Sequence, residues 1–229
     1  MALQQVSSVI NIPAAEERQQ PFRFLDLPPE IRNLIYDELL PLGQTVPIYG
    51  YSRYHVKAEF SCDTFTRLVT TNKQIHNEAV AKLYGDLTYS FEYGYAFTEW
   101  LQVIGTMKRH LRHIRLALWM LRQCRAELMR SALEQLKQAK ELRVFELRIE
   151  YAFERWVKFH PAESVAADFE PFVRAMIEAN RGHNSRKKAL RIFCVSGNAV
   201  WMEGSQDKER ARVAAYEVAM KAELIKLLR

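Results

Sequence analysis

Residues 24–40, FLDLPPEIRNLIYDELL, predict the first helix of the chain. Asp26 is a suitable N-cap, and Pro28 and Pro29 suit the first turn, where a residue without an N–H loses no hydrogen bond. Glu30 in that turn is favoured by the helix dipole. Apolar residues then recur at helical spacing, separated largely by polar ones: Ile31, Leu34, Ile35, Leu39 and Leu40. The segment therefore predicts an amphipathic helix.

Length and composition indicate a globular protein with a substantial core. The chain has 229 residues, of which 48% are hydrophobic, and this excludes a disordered protein. The formal net charge is +6 and the pI is about 9.2. Because 33 Lys and Arg are interspersed with 27 Asp and Glu, the chain lacks the dense basic loading of a dedicated nucleic-acid binder.

Cysteine usage and the N-terminus bear on the compartment. Cys62, Cys124 and Cys194 are odd in number and far apart, which favours reduced thiols over a disulfide framework. The N-terminus lacks the basic start and the continuous apolar run of a signal peptide. No apolar run reaches the length of a membrane span. We expect a soluble, intracellular protein, cytoplasmic or nuclear, with residues 1–20 forming a flexible arm.

Strand and helix patterns alternate after the first helix. Residues 44–61 are rich in aromatic and β-branched residues and predict a hairpin or an irregular extended insertion. Thr71 and Gln74 form a capping box that would open the next helix. Residues 181–188, RGHNSRKK, predict a basic loop. The last strand is predicted over Leu190, Ile192, Cys194 and Val195, and a terminal amphipathic helix over Val213, Tyr216, Met220, Leu224, Ile225 and Leu228.

The predicted fold class is α/β and helix-rich. Strands are expected to begin near residues 87, 113, 143 and 189, and repeated strand–helix–strand units favour a parallel sheet with right-handed crossovers. The spacing of the first strands predicts an irregular repeat-like layer. The more specific prediction is a short leucine-rich-repeat-like curved sheet. Three regions are predicted: the arm, a helical module at 21–86 with an insertion at 44–61, and an α/β partner-binding region at 87–229.

Two segments carry a resemblance to a known family. LPPEIRNLIYDELL at 27–40 resembles the opening of an F-box, the helical module that docks on the Skp adaptor of cullin ubiquitin ligases. TNKQIHNEAVAKLYGDLTYSF at 71–91 resembles the segment that accompanies this opening in F-box-like proteins of filamentous fungi. The resemblance implies a non-catalytic interaction protein that links a Skp-type adaptor to a substrate protein. It also implies a set of adaptor-facing or module-core positions: Leu27, Pro28, Ile31, Leu34, Ile35 and Leu39.

Motifs for catalysis or metal binding are absent from the sequence. There is no glycine-rich phosphate loop, no Cys-x-x-Cys pair and no HExxH helix. His110 and His113 lie in KRHLRHIR, whose positive charge repels a cation. Cys194 falls in a predicted strand, where a structural thiol is expected. Glu146 alternates with Arg148 on one strand face, which indicates cross-strand charge pairing. We expect no enzyme activity, no cofactor and no metal.

Basic residues support an alternative hypothesis. A positive flank is predicted from helix and loop positions: Arg122, Arg125, Arg130, Lys137, Lys140, Arg186, Lys187 and Lys188. Such a flank attracts nucleic acid or an acidic protein. In this alternative the chain is a basic α/β binding module and the F-box-like helix is purely structural. No RRM, KH or zinc-finger pattern supports the nucleic-acid form of the hypothesis.

Overall fold

The structure is a computed structural model that describes residues 22–40, 43–52, 55–58, 63–117, 126–149, 157–158, 161–179, 185–197 and 206–229. The predicted arm at 1–20 lies outside these residues, as do Cys62 and Cys124. The helices are α1 Pro29–Leu39, α2 Asp63–Thr71, α3 Lys73–Asp86, α4 Gly94–Ile104, α5 Ala126–Leu136, α6 Ala162–Ala179, α7 Ser185–Ile192 and α8 Gln206–Leu227. The strands are β1 Thr45–Ser52, β2 His55–Ala58, β3 Thr88–Phe91, β4 His113–Ala117, β5 Val144–Ile149 and β6 Phe193–Gly197.

The strands form one sheet in the order β2-β1-β3-β4-β5-β6. The strands β1, β3, β4, β5 and β6 run parallel, and β2 pairs antiparallel with β1 at the edge. The helix-rich α/β prediction is therefore confirmed, and so is the predicted hairpin at 44–61. The sequence pattern did not indicate that this hairpin joins the parallel sheet: Thr45 to Ile48 pair with Thr88 to Phe91.

The parallel strands lie in chain order, so every crossover advances in the same direction across the sheet. Right-handed connections then lay the intervening helices on one face. Burial alternates along the strands accordingly. In β5, Phe145, Leu147 and Ile149 are buried, whereas Val144, Glu146 and Arg148 are half-buried on the other face. We call this second, partly exposed surface the open face of the sheet.

The main hydrophobic cluster fills the space between the sheet and its helices. It runs from Val46 in β1 to Leu228 after α8. At its centre the fully buried ring of Phe145 meets the rings of Phe169 and Phe193 at centroid distances of 5.4 and 5.5 Å. The terminal helix buries the predicted positions Val213, Tyr216, Met220, Leu224 and Leu228, while Ile225 is partly exposed.

A smaller cluster lies under α1. It consists of Tyr36, Leu40, Phe65, Ile75 and Ala79, with contributions from half-buried neighbours such as Leu39 and Leu68. Leu83 on α3 packs against both clusters and so joins the N-terminal helices to the sheet core.

The open face carries polar cross-strand contacts. Arg115 on β4 lies opposite Glu146 on β5, and their charged groups are 2.6 Å apart. Ser196 on β6 donates a hydrogen bond to the same carboxylate. The expected cross-strand charge pairing of Glu146 is therefore confirmed. Because both partners are polar, this face stays hydrated without an apolar cover.

Edge strand β6 is protected by the terminal helix. The backbone N–H of Val195 donates a 2.9 Å hydrogen bond to Glu217 on α8. An unpaired edge N–H invites pairing with another chain, and a carboxylate that accepts this hydrogen bond removes the vacancy. Lys221, one helical turn further on, forms an ion pair with Glu217 at 2.5 Å.

Three local predictions are wrong. The N-cap of α3 is Asn72 and not Thr71, because the Asn72 side chain accepts the N–H of Gln74 at 2.7 Å. The predicted basic loop at 181–188 includes the first residues of α7, since the described part from Ser185 onward is helical. Leu190 and Ile192 also belong to α7, and the strand begins one residue later at Phe193.

The chain changes helix type after β3. Helix α4 ends at Ile104, and a 3-10 turn follows over Gly105–His110. Gly105 has φ +52° at this junction. This left-handed conformation is strained for residues with a Cβ, so glycine is suited to ending the helix here.

Candidate protein interaction site

Helix α1 begins later than its predicted cap. Pro28 occupies the N-cap position without a side-chain cap, and its carbonyl accepts the N–H groups of Ile31 and Arg32 at 3.0 and 3.1 Å. Asp26, the predicted cap, ends a 3-10 turn over Phe24–Asp26 instead. Pro29 at the first helical position needs no N–H partner. The two prolines therefore fix the start of α1.

A buried arginine attaches α1 to α3. The Arg32 side chain donates two hydrogen bonds to the Glu78 carboxylate, at 2.9 Å from Nε and 2.7 Å from Nη2. Its Nη1 group donates to the carbonyls of Leu25 and Leu27. Arg32 is only 4% exposed. Paired, planar contacts of this kind are the strongest ion pairs between side chains, and they fix orientation as well as distance.

Glu78 is the centre of this network. It also accepts hydrogen bonds from the Tyr36 hydroxyl at 3.0 Å and from Gln74 Nε2 at 2.9 Å. The hydrogen bond from Arg32 is the main reason that the pKa of Glu78 falls to about 2. Burial, with the neighbouring Glu78 carboxylate, raises the pKa of Tyr36 to about 12. Glu78 is therefore ionised, and the Tyr36 hydroxyl protonated, at neutral pH.

Apolar contacts and a second ion pair complete the attachment. Tyr36 is fully buried, and its ring lies 5.9 Å from that of Phe24. Leu40 is buried in the same small cluster, and Leu39 packs against it. Lys82 on α3 forms an ion pair with Asp37. One face of α1 is thus fully engaged within the chain.

The adjacent face of α1 is apolar and faces solvent. Ile31 is 42% exposed and Leu34 is 60% exposed. Leu27 and Ile35 are half-buried, and spacings of three and four residues align Ile31, Leu34 and Ile35 along the helix. We call Leu27, Ile31, Leu34 and Ile35 the apolar stripe. Pro28 beside it is exposed.

The structure divides the six predicted partner-binding residues into two groups. Pro28 and the four residues of the apolar stripe lie outside the small cluster, whereas Leu39, which is also half-buried, packs on it. The sequence left open whether such residues were core or docking positions. The anchors Arg32 and Tyr36 were missed, because Arg32 was grouped with the polar surface positions. Their spacing of four residues, continued by Leu40, was the available signal.

His76 was expected to occupy a solvent-exposed position on α3. His76 is instead half-buried, with its Nδ1 atom 3.3 Å from the Val69 carbonyl. Two residues further on, Glu78 turns to α1. Glu78 and Lys82 of α3 therefore hold α1, and His76 contacts α2.

The predicted basic flank is only partly assembled. Arg122 and Arg125 lie outside the described residues. Arg130 is 3.8 Å from Asp168 and Lys137 is 2.5 Å from Glu134, each in an ion pair. The remaining predicted residues lie near the starts of β5 and β6: Lys140, Arg186, Lys187 and Lys188.

The described residues also bear on chemistry and membranes. Cys194 is half-buried, and burial raises its thiol pKa to about 11, which makes it a poor nucleophile at neutral pH. Over the ranges that the structure covers, no three His, Cys, Asp or Glu side chains converge as a metal site requires. None of the helices in those ranges is long and apolar enough to cross a bilayer.

Comparisons with known proteins gave no match among protein-family models, curated proteins or solved structures.

Proposed function

We propose that the chain is a non-catalytic, F-box-like interaction protein whose apolar stripe docks on a Skp-type adaptor of a cullin ubiquitin ligase. Helix α1 supplies the contact, and α3 holds α1 in place through Glu78 and Lys82. The resemblance of residues 27–40 to an F-box opening supplies the identity of the partner.

The exposure of the apolar stripe is the observation that carries this proposal. An ordinary core helix buries its apolar residues and exposes its charged ones. Helix α1 reverses this order at its centre: Arg32 is buried while Leu34 is 60% exposed. Contiguous exposed apolar residues are typical of a surface that meets a partner. This arrangement supports a docking role over a purely structural one.

The α/β region at 87–229 is proposed to present the substrate protein. Its parallel strands follow one another in chain order with helices on one face, which supports a repeat-like layer of the leucine-rich kind. The partly exposed open face, with its polar contacts around Glu146, is available for such a contact. A substrate held there and an adaptor on α1 would contact separate surfaces.

Co-elution with a recombinant fungal Skp adaptor in size-exclusion chromatography tests the docking. The test variant is Ile31→Asp/Leu34→Asp, which places charges on the apolar stripe without touching the buried network. The matched control is Val103→Asp/Val218→Asp, since Val103 and Val218 are 78% and 69% exposed on α4 and α8. Circular dichroism of both variants checks that they remain folded.

We expect the wild-type chain and the control to co-elute with the adaptor, and the stripe variant to elute alone while still folded. Apolar anchors at the centre of an interface dominate its affinity, so two buried charges there abolish binding. A wild-type chain that does not co-elute, or a folded stripe variant that co-elutes as well as the control, contradicts the proposal.

A further inference from the structure

Three basic segments lie at the end of the sheet where its parallel strands begin. Residues 105–112, 137–143 and 185–192 lead into β4, β5 and β6, and parallel strands all begin at the same edge. These segments contain a single acid, Glu141. They contain ten bases: Lys108, Arg109, Arg112, Lys137, Lys140, Arg143, Arg186, Lys187, Lys188 and Arg191.

Strand pairing brings the segments close together. The backbone N–H of Arg143 donates a 2.9 Å hydrogen bond to the carbonyl of Arg112. Arg143 and Arg191 each lie two residues before Phe145 and Phe193, which are paired across β5 and β6. Neighbouring strands are about 4.8 Å apart. The residues before β5, with Arg143, and the last turn of α7, with Arg191, therefore reach the same end of the sheet.

Half of these bases already have a partner among the described residues. Lys108 donates to Gln135, Arg109 to His110, Arg112 to Asp86 and Glu141, Lys137 to Glu134, and Arg186 to the carbonyl of Leu228. The other half is exposed, and the side chains have no hydrogen bond or ion pair to any residue that the structure describes: Lys140, Arg143, Lys187, Lys188 and Arg191. We call these five residues the basic edge.

The half-buried His113 at the start of β4 pairs with Val144, next to Arg143, and lies in the positive potential of Arg143 and Arg112. Burial lowers its pKa, and the charges of Arg143 and Arg112 lower it further. The nearest acids do not offset this potential fully, because Asp86 and Glu141 are both engaged by Arg112. A negatively charged partner is attracted to this surface whatever its sequence.

We propose that the basic edge binds an acidic segment of a partner protein. The three segments contain no Phe, Tyr or Trp, so the edge lacks the stacking platforms on which single-stranded nucleic acids rely. Carboxylates need only the charge and the N–H donors that Lys and Arg supply. The surface precedes β5 and β6 and contains no residue of α1, so the inference does not depend on the adaptor proposal.

Fluorescence anisotropy with a labelled oligoglutamate peptide tests this surface in the full chain at low salt. The test variant is Arg143→Glu/Lys187→Glu/Arg191→Glu. The matched control is Lys73→Glu/Lys208→Glu/Arg210→Glu, which changes the net charge equally at exposed positions on α3 and α8. We expect the test variant to weaken peptide binding at least tenfold and the control to change it less than about threefold.

An oligothymidylate of matched charge distinguishes the two classes of partner. We expect it to bind the wild-type chain more weakly than the peptide does. The inference is overturned if the oligothymidylate binds equally or more tightly, if no peptide binding is measured, or if the control weakens binding as much as the test variant. Circular dichroism confirms that each variant is folded.

Discussion

The two hydrophobic clusters of this protein are stabilised in different ways. The main cluster joins the sheet to its helices through large apolar side chains, with Phe145, Phe169 and Phe193 in contact at its centre. The small cluster under α1 contains few apolar residues and is supplemented by the network of Arg32, Tyr36 and Glu78. The first is stabilised by area removed from water, and the second depends largely on a few directed polar contacts.

This difference explains why α1 can expose apolar residues. A helix held only by its apolar face would have to bury Ile31 and Leu34. Because Arg32 and Tyr36 attach α1 to α3, the apolar stripe is left accessible. The polar network therefore holds α1 in place without burying the residues of the apolar stripe.

Removing a ring from the main cluster should have the largest effect on stability. We expect Phe145→Ala to lower the free energy of unfolding by about 4 kcal/mol, because Phe145 is fully buried and the cavity cannot be filled by water. Urea denaturation followed by circular dichroism measures the change. Val144→Ala, on the open face of the same strand, should cost less than about 1 kcal/mol. Equal losses for the two variants would contradict the assignment of the faces.

Removing Arg32 should have the next largest effect. We expect Arg32→Ala to cost about 3 kcal/mol, since the Glu78 carboxylate loses the partner that compensates its burial. Lys82→Ala removes a more exposed ion pair on the same helices and should cost less than about 1 kcal/mol. Urea denaturation of both variants compares them. A cost for Arg32→Ala no larger than that of Lys82→Ala would show that the polar network is dispensable.

Acid should weaken the small cluster through Glu78. Its pKa in the folded chain is about 2, below the ordinary value of 4.5, so its stabilising effect is complete above pH 4.5 and is lost as the pH falls towards 2. We expect the free energy of unfolding of wild type to exceed that of Glu78→Gln by about 2 kcal/mol at pH 7. The difference should shrink below pH 4.5. A difference that stays constant between pH 7 and pH 3 would mean that the ionised carboxylate is not the stabilising species.

Arg112 links the N-terminal helices to the sheet, and its removal should have the smallest effect on stability. Arg112 bridges Asp86, at the end of α3, and Glu141, before β5, and its guanidinium passes so close to Gly85 that a Cβ there would lie 3.0 Å from Nη1. We expect Arg112→Ala to cost about 1 kcal/mol, because the three charged groups are all partly exposed. Thermal unfolding would measure this change. A loss comparable with that of Arg32→Ala would mean that the bridge, and not Leu83 packing, joins the regions.

The sequence predicted the main cluster far better than the small one. Alternation in β3, β4 and β5 and the stripe of α8 follow from apolar periodicity, which reports burial directly. In α1 the same periodicity was ambiguous, because Ile31 and Leu34 suit a core or a docking face equally well. The decisive contact joins Arg32 to Glu78, 46 residues apart, and periodicity carries no information about such a partner.

Apolar periodicity also could not predict which strands lie side by side in the sheet. The hairpin at 44–61 was expected, but its place beside β3 depends on long-range register. The basic edge has the same origin: Arg143 and Arg191 are far apart in the chain and come close because β5 and β6 begin side by side. The predicted flank on α5 had no such constraint, and Arg130 and Lys137 are engaged in ion pairs instead.

Isothermal titration calorimetry of the chain with a fungal Skp adaptor is the most direct test of the role of α1. A comparison of wild type with Leu34→Asp and Val103→Asp isolates a single exposed apolar position on each of two helices. We expect wild type and Val103→Asp to bind with equal Kd within about twofold, and Leu34→Asp to bind at least about thirtyfold more weakly. No heat of binding for the wild-type chain, or the same Kd for both folded variants, would contradict the account.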